Sequence, residues 1–135
     1  AASCLDWLQL HNQNAPFCWV CGFSFGAWIS MQLLMRRPEI VGFLSVAPPA
    51  SEYDFSFLAP CPSSGLMLQG EDDETIPPES VAKLVEKLSA QRGIQIDYTL
   101  LPGADHFFTG KLDEMMEVVD AYLDDNLSED FKRAP

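Results

Sequence analysis

The stretch FCWVCGFSFGAWISMQLLM occupies residues 17–35 and indicates the fold class. Residues 17–21 form a continuous apolar run of the kind found in buried strands. Two glycines within residues 22–26 suit a tight turn, and residues 27–35 are apolar on nearly every side, which predicts a buried helix. Pro38 ends this helix. A buried strand that turns directly into a buried helix is typical of α/β proteins with a parallel sheet.

The rest of the chain continues the alternation of strands and helices. A short helix precedes the polar break at residues 12–16, and strands are predicted at residues 41–46, 65–69 and 94–100. Two later helices are predicted where apolar residues recur on one side, at Val81, Leu84, Val85 and Leu88 and at Leu112, Met115, Met116, Val119, Tyr122 and Leu123. The expected fold is a single α/β domain over residues 1–135, with about four mainly parallel strands and helices on both faces.

Charge and hydropathy exclude several classes of function. The 135 residues carry a formal charge of -12, with 47% hydrophobic and 21% charged residues. Residues 71–135 hold 16 acidic and 6 basic side chains, a net charge of -10 that repels phosphate backbones. The chain also lacks the apolar stretch of about 18 residues that a membrane-spanning helix needs. We therefore expect neither a nucleic acid nor a membrane among its partners.

The four cysteines, Cys4, Cys18, Cys21 and Cys61, are too sparse for a disulfide scaffold, so we expect a reducing, cytoplasmic location. Cys18 and Cys21 have the CxxC spacing of redox proteins, but they lie in a predicted strand, where residues three apart point to opposite faces. That geometry does not allow a disulfide between them, so no redox activity is predicted.

Residues 22–26 read Gly-Phe-Ser-Phe-Gly, the GxSxG pattern, between a predicted strand and a predicted helix. Such a sharp turn brings the two backbones together, so we expect Gly22 and Gly26 to lack room for a side chain. The turn presents the hydroxyl of Ser24 as a nucleophile. The backbone N–H of Phe25 is predicted to stabilise the oxyanion that forms when a carbonyl is attacked. The alternative is a glycine turn in which Ser24 caps the helix.

A serine nucleophile needs an unprotonated base at neutral pH, and histidine is the natural partner. The chain has two histidines. His11 ends the first helix and is expected to face solvent. His106 follows the last predicted strand, at the carboxyl edge of the sheet where reactive groups of parallel sheets lie. His106 is therefore the predicted base.

A carboxylate that accepts the other N–H of this imidazole would fix its orientation. Asp72 and Asp73 both follow the third predicted strand, and the residues alone do not choose between them. Asp54, in an earlier loop, is a weaker third candidate. The remaining acids of residues 70–74 are interpreted as a solvated surface.

These motifs resemble the α/β-hydrolase superfamily, and in particular small bacterial hydrolases of the dienelactone-hydrolase-like kind that have no cap. The resemblance covers nearly the whole chain and rests on GFSFGA at 22–27, RRPE at 36–39, SVAPP at 45–49 and GADHFF at 103–108. It implies a triad in the chain order Ser24, Asp73, His106. In that family the acid is the third residue after the glycine that ends the strand, which implies Asp73 rather than Asp72.

The same resemblance implies that the chain is the C-terminal part of such a fold. Four strands normally precede the nucleophile strand, and a loop after an early one supplies a second oxyanion donor. The chain also begins without methionine. We therefore expect reduced activity of this chain alone and an open strand edge between Phe17 and Cys21, which favours self-association.

Aromatic residues near the reactive end are predicted to contact substrate. An apolar acyl or aromatic pocket is expected to be lined by phenylalanines in or near these loops, with packing inside the loops as the alternative: Phe23, Phe25, Phe55, Phe57, Phe107 and Phe108. Of these, Phe23, Phe107 and Phe108 are the predicted substrate contacts. The predicted function is a serine hydrolase of small esters or lactones that forms an acyl-enzyme. An acyltransferase with the same triad, and a hydrolase-fold binding protein without turnover, stay open as alternatives. Two histidines without ligand spacing predict no metal site, and no cofactor is expected.

Overall fold

The computed structural model describes the backbone of residues 1–133 and the side chains of residues 1–127. Strands and helices follow one another in the predicted order. They are α1 (Ala2–His11), β1 (Cys18–Phe23), α2 (Phe25–Arg36), β2 (Ile40–Val46), β3 (Gly65–Gly70), α3 (Pro78–Ser89), β4 (Ile96–Leu101) and α4 (Leu112–Arg133).

The four strands form one parallel sheet in the order β1-β2-β3-β4. All four carboxyl ends therefore lie at the same edge of the sheet, where the loops that carry candidate site residues begin. The predicted α/β class with parallel strands is confirmed.

Helices cover both faces of the sheet, as predicted. Phe43 and Met67 point to one face and pack in a cluster with residues of α2 and α3, including Leu34 and Leu84. Their neighbours on the strands point to the opposite face, because successive side chains of a strand alternate. There Leu44 and Leu66 pack against Tyr122 of α4.

The first strand is longer at its carboxyl end than the apolar run predicts. Its pairing with β2 continues through Gly22 and ends where Phe23 lies opposite Val46. Because α2 begins at Phe25, Ser24 alone separates the strand from the helix. The turn is therefore a single residue.

One edge of the sheet is formed by β1, whose partner among the described strands is β2 alone. Among the described residues, β1 is therefore an edge strand, as expected for residues 18–21. Within residues 1–133, none of the helices combines the length and the apolar character needed to cross a membrane.

We expect this edge to pair with the same edge of a second copy, because unpaired strand groups favour strand addition. Light scattering at increasing concentration, under reducing conditions, should then show a molar mass above 15.0 kDa. Cys21→Lys adds a charge to the exposed edge strand and should return the mass to that of the monomer.

The matched control is Met116→Lys, which adds the same charge at an exposed position of α4. It should leave the association unchanged. A monomer mass for the unmodified chain at every concentration would contradict self-association.

Candidate active site

The turn between β1 and α2 holds Ser24 in a conformation with positive φ, with φ of 53° and ψ of -123°. Residues other than glycine adopt positive φ rarely, so the surrounding contacts must impose it. The Ser24 N–H donates to the carbonyl of Val46 at 2.9 Å, which fixes the turn to the end of β2. The Ser24 side chain makes no capping hydrogen bond to α2, so the capping alternative is not what the structure has.

The two glycines of the GxSxG pattern have different environments. A Cβ added at Gly22 would overlap the carbonyl oxygen of Gly26 and lie 2.6 Å from the Cα of Ala27. The predicted lack of space at Gly22 is therefore confirmed. No atom lies within 4 Å of a Cβ added at Gly26, so the same prediction for Gly26 is wrong. The helix approaches the strand through the carbonyl of Gly26, not through the side on which its Cβ would stand.

Asp73 lies in the turn after β3 and is 5% exposed. Its Oδ1 accepts hydrogen bonds from the backbone N–H groups of Thr75 at 2.8 Å and Ile76 at 2.7 Å. These bonds orient the carboxylate and leave Oδ2 for other partners. Asp72 is exposed, and its backbone N–H donates to the carbonyl of Ala104 at 2.9 Å.

The turn after β3 touches the loop after β4 because Gly70 has no side chain. A Cβ at Gly70 would lie 2.5 Å from the carbonyl oxygen of Ala104 and 2.7 Å from that of Asp105. This contact brings the loop that carries His106 beside Asp73.

Asp105 holds the loop around His106 in place. Its Oδ1 accepts the backbone N–H of Thr109 at 2.9 Å and that of Phe107 at 3.1 Å. Hydrogen bonds from Thr109, and then from Phe107, lower the pKa of the Asp105 carboxyl, so the loop is tied to an ionised group at neutral pH.

The structure brings Ser24, His106 and Asp73 into one chain of hydrogen bonds. His106 is 7% exposed, and its Nδ1 lies 2.7 Å from Oδ2 of Asp73. Its Nε2 lies 3.0 Å from Oγ of Ser24. Because an ionised carboxylate only accepts, the proton belongs on Nδ1, which leaves Nε2 free to accept the serine O–H. Such an arrangement can move a proton from a hydroxyl to an imidazole.

The other sequence candidates lie elsewhere. His11 is exposed at the end of α1, where its ring stacks on Trp7 with a centroid distance of 4.1 Å. Asp54 accepts from the N–H and hydroxyl of Ser56, each at 2.8 Å. Neither His11 nor Asp54 belongs to a metal site. Among the described residues, no group of three His, Cys, Asp or Glu side chains could hold a metal ion.

Two of the three predicted substrate-contacting phenylalanines lie beside His106. The ring of Phe23 is 5.3 Å from the imidazole and that of Phe107 is 5.1 Å from it, and both rings are exposed. Phe108 is instead 1% exposed and packs in the core with Leu68 and Leu101. Its φ of 54° accompanies a turn that sends consecutive aromatic side chains to different environments. The structure therefore does not place Phe108 at the surface of the site. Phe55 is likewise buried in the core, at 6% exposure.

A second group of rings follows Ser24 on the helix side. Phe25 lies 5.5 Å from the ring of Tyr53 and 5.8 Å from that of Trp28, and Trp28 stacks on Tyr53 at 4.7 Å. Phe25 and Trp28 are one helical turn apart, so their proximity is readable from the sequence. The contribution of Tyr53, from the loop after β2, depends on the tertiary fold.

Phe25 is also the first residue of α2. The first N–H groups of a helix have no acceptor within it and carry its positive end, so the Phe25 N–H is available to an anion beside Ser24.

An open cavity of about 420 Å³ adjoins His106. Its rim carries three carboxylates, from Asp72, Glu74 and Asp105, together with the ring of Phe107. The side chain of Lys111 approaches the same rim near Gly103, but its ammonium group is paired with Glu114 at 3.2 Å. This side of the site is therefore negatively charged.

A model of the dienelactone hydrolase family matches residues 1–132. The chain belongs to this family. The predicted resemblance is thereby confirmed, and membership places the chain in a family of hydrolase enzymes.

Three solved structures are similar to this chain and support its assignment to the dienelactone hydrolase family. A protein of unknown function from Agrobacterium tumefaciens, described as a candidate α/β hydrolase, is 58% identical and superposes with a TM-score of 0.92 over 95% of this chain. An α/β serine hydrolase homologue from Coxiella burnetii is 33% identical, with a TM-score of 0.80 over 90% of the chain. A lidless α/β serine hydrolase from Xanthomonas campestris is 29% identical, with a TM-score of 0.75 over 87% of the chain.

An uncharacterised protein of Rickettsia prowazekii is 51% identical over an alignment of 127 residues, and the match covers 91% of this chain and 53% of that protein. The chain spans 59% of the Agrobacterium protein, 56% of the Coxiella protein and 51% of the Xanthomonas protein. It therefore corresponds to little more than half the length of these relatives.

The different space around Gly22 and Gly26 allows a direct test of the contact between the strand and the helix. Gly22→Ala should lower the free energy of unfolding by about 1–3 kcal/mol or more, because its methyl group would overlap the backbone of α2. Gly26→Ala should leave stability unchanged or raise it by about 0.4–1 kcal/mol, because alanine loses less backbone entropy in a helix. Urea denaturation measures both, and equal destabilisation would contradict the assigned contact.

Proposed function

We propose that this member of the dienelactone hydrolase family is a serine hydrolase of carboxylic esters or lactones, acting through an acyl-enzyme on Ser24. The observation that carries the proposal is the continuous set of hydrogen bonds from Ser24 through His106 to Asp73, at 3.0 and 2.7 Å. In serine hydrolases this arrangement supplies a general base and fixes its tautomer.

In the first step, Nε2 of His106 takes the proton of the Ser24 hydroxyl as Oγ attacks the substrate carbonyl carbon. A new C–O bond forms, and the carbonyl electrons move to oxygen. Asp73 accepts the Nδ1–H throughout and stabilises the imidazolium that develops. In this proposal the Phe25 N–H, at the start of α2, donates to the resulting oxyanion.

In the second step, the tetrahedral intermediate breaks its bond to the leaving alkoxide, and His106 gives that oxygen the proton. For a lactone, the released alcohol stays attached to the acyl group. A water then attacks the acyl-enzyme, with His106 again as the base, and the acid leaves as Ser24 recovers its proton.

The rings around Ser24 support an apolar acyl or aromatic substrate. Phe23 and Phe107 flank the imidazole, and Phe25 lies on the helix side with Tyr53 and Trp28. Between β2 and β3 the described chain forms no helix that could cover the cleft. The similar serine hydrolase from Xanthomonas campestris likewise has no lid.

The proposal predicts that a fluorophosphonate labels Ser24 covalently. Intact mass spectrometry should show one adduct, and Ser24→Ala should abolish it. His106→Ala should slow labelling by about a hundredfold to ten-thousandfold, because general-base assistance has that magnitude. The matched control Ser51→Ala changes an exposed serine of the loop after β2 and should label at the unmodified rate.

No adduct on the unmodified chain after prolonged exposure would contradict an active nucleophile and favour a binding protein without turnover. Product analysis with an added alcohol would separate hydrolysis from acyl transfer.

The acidic rim predicts a preference for uncharged substrates. p-Nitrophenyl butyrate should be cleaved faster than the p-nitrophenyl half-ester of succinate, which has similar size but carries a carboxylate. Asp72→Asn and Glu74→Gln should each raise the relative rate of the anionic ester about twofold to fivefold at low salt.

Glu117→Gln is the charge-matched control, because it removes one exposed carboxylate from α4 rather than from the rim. It should leave the ratio of the two rates unchanged. An equal effect of all three substitutions would indicate a general field of the acidic protein instead of selection at the rim.

A further inference from the structure

A buried glutamine donates a hydrogen bond to the Asp73 carboxylate. Gln69 precedes the last residue of β3 and is 0% exposed. Its Nε2 lies 3.0 Å from Oδ2 of Asp73, 3.1 Å from the carbonyl oxygen of Ile76 and 3.4 Å from that of Gly70. Three oxygen atoms therefore surround one amide nitrogen.

These acceptors fix the orientation of the amide. If the side chain were rotated by 180°, its carbonyl oxygen would face a carboxylate and two carbonyls, which offer it no proton. In the observed orientation, Oε1 of Gln69 has no hydrogen-bond partner among the described residues. A buried polar atom without a partner costs stability, so the contacts of the NH₂ group must offset that cost.

Gln69 contacts the same carboxylate oxygen of Asp73, Oδ2, that accepts from His106. Oδ1 is held by the N–H groups of Thr75 and Ile76, whereas Oδ2 accepts from Gln69 and from Nδ1 of His106. The backbone bonds fix one end of the carboxylate. The Gln69 amide fixes the other end, at Oδ2. The amide and the imidazole therefore share the negative charge of that oxygen.

We propose that Gln69 is a positioning residue of the triad: it holds Oδ2 of Asp73 in line with Nδ1 of His106 and limits how strongly that oxygen attracts the imidazole proton. This role deepens the proposed function, since it matters for catalysis if His106 acts as the base. A purely structural role would require only the bonds to the carbonyls of Ile76 and Gly70.

The two roles differ in the titration of His106, which nuclear magnetic resonance can follow without any turnover. The chain has two histidines, so exposed His11 serves as an internal reference. In Gln69→Met, which has similar volume but no donor, Oδ2 would keep its full charge for the imidazolium. The midpoint of the His106 titration should rise by about half a pH unit or more, with that of His11 unchanged.

The charged groups near His106 are the same in Gln69→Met as in the unmodified chain. They are Asp73 from the turn after β3 and the rim carboxylates of Asp72, Glu74 and Asp105. Fluorophosphonate labelling of Gln69→Met should also slow by about tenfold to a hundredfold, because a less well-oriented imidazole is a poorer base.

Gln91→Met is the matched control. Gln91 also bridges buried backbone, donating to the carbonyl of Leu58 at 2.7 Å and accepting from the N–H of Cys61 at 2.7 Å, but it does not touch the triad. Its loss should lower the unfolding midpoint while the His106 titration and the labelling rate stay within twofold of the unmodified chain. If Gln69→Met does not fold, Gln69→Asn keeps an amide but is one methylene shorter, and should give the same upward shift.

An unchanged or lowered His106 midpoint in a folded Gln69 variant would overturn the positioning role. If the midpoint rises but Ser24 labels in no variant, the positioning role stands and the proposed hydrolase activity falls. If labelling occurs in the unmodified chain and the midpoint does not move, the activity stands and Gln69 is structural.

Discussion

The backbone of Ser24 lies in a region of φ and ψ that serine seldom occupies, and such conformations typically cost about 1–3 kcal/mol. The contact between Gly22 and the carbonyl of Gly26 keeps the chain in this conformation, together with the bond from the Ser24 N–H to Val46. Ser24 occupies the position from which a side chain can cap α2, but its hydroxyl makes no capping bond to that helix. It projects instead toward His106, and the first N–H of α2 comes to lie beside it.

The other half of the site depends on backbone contacts between adjacent strand ends. Ala47 donates to the carbonyl of Leu68, and Glu71 donates to that of Leu101, so β2, β3 and β4 are joined just beyond their last residues. These bonds do not involve the reacting side chains. They set the separation of the loops before any side chain is placed, and Asp73 and His106 are then oriented within that frame.

Periodicity and motif spacing were sufficient to predict the element order, the parallel sheet and the positions of Ser24 and His106. Features set by tertiary contacts were not readable in the same way. The residues alone leave the acid open between Asp72 and Asp73, which are adjacent in the sequence, and the family resemblance supplies the choice. Gly26 looked like Gly22, Phe108 looked like Phe107, and Gln69 carried no motif. The position of Phe108 is decided by packing against Leu68 and Leu101, which belong to β3 and β4. The contacts of Gly22 and of Gln69 are with residues close in sequence, but they depend on turn geometry that spacing alone does not specify.

The triad also spans all four of the described strands. Ser24 follows β1 and His106 follows β4, which are separated by two intervening strands. With neighbouring strands about 4.8 Å apart, the loop after β4 must reach back across roughly 14 Å to the serine. Each pair of strands contributes its own twist of about 20–25°, and these angles add across the three interfaces. The distance between the hydroxyl and the imidazole therefore depends on the summed twist of the sheet, and packing on either face can change that twist far from the reacting atoms.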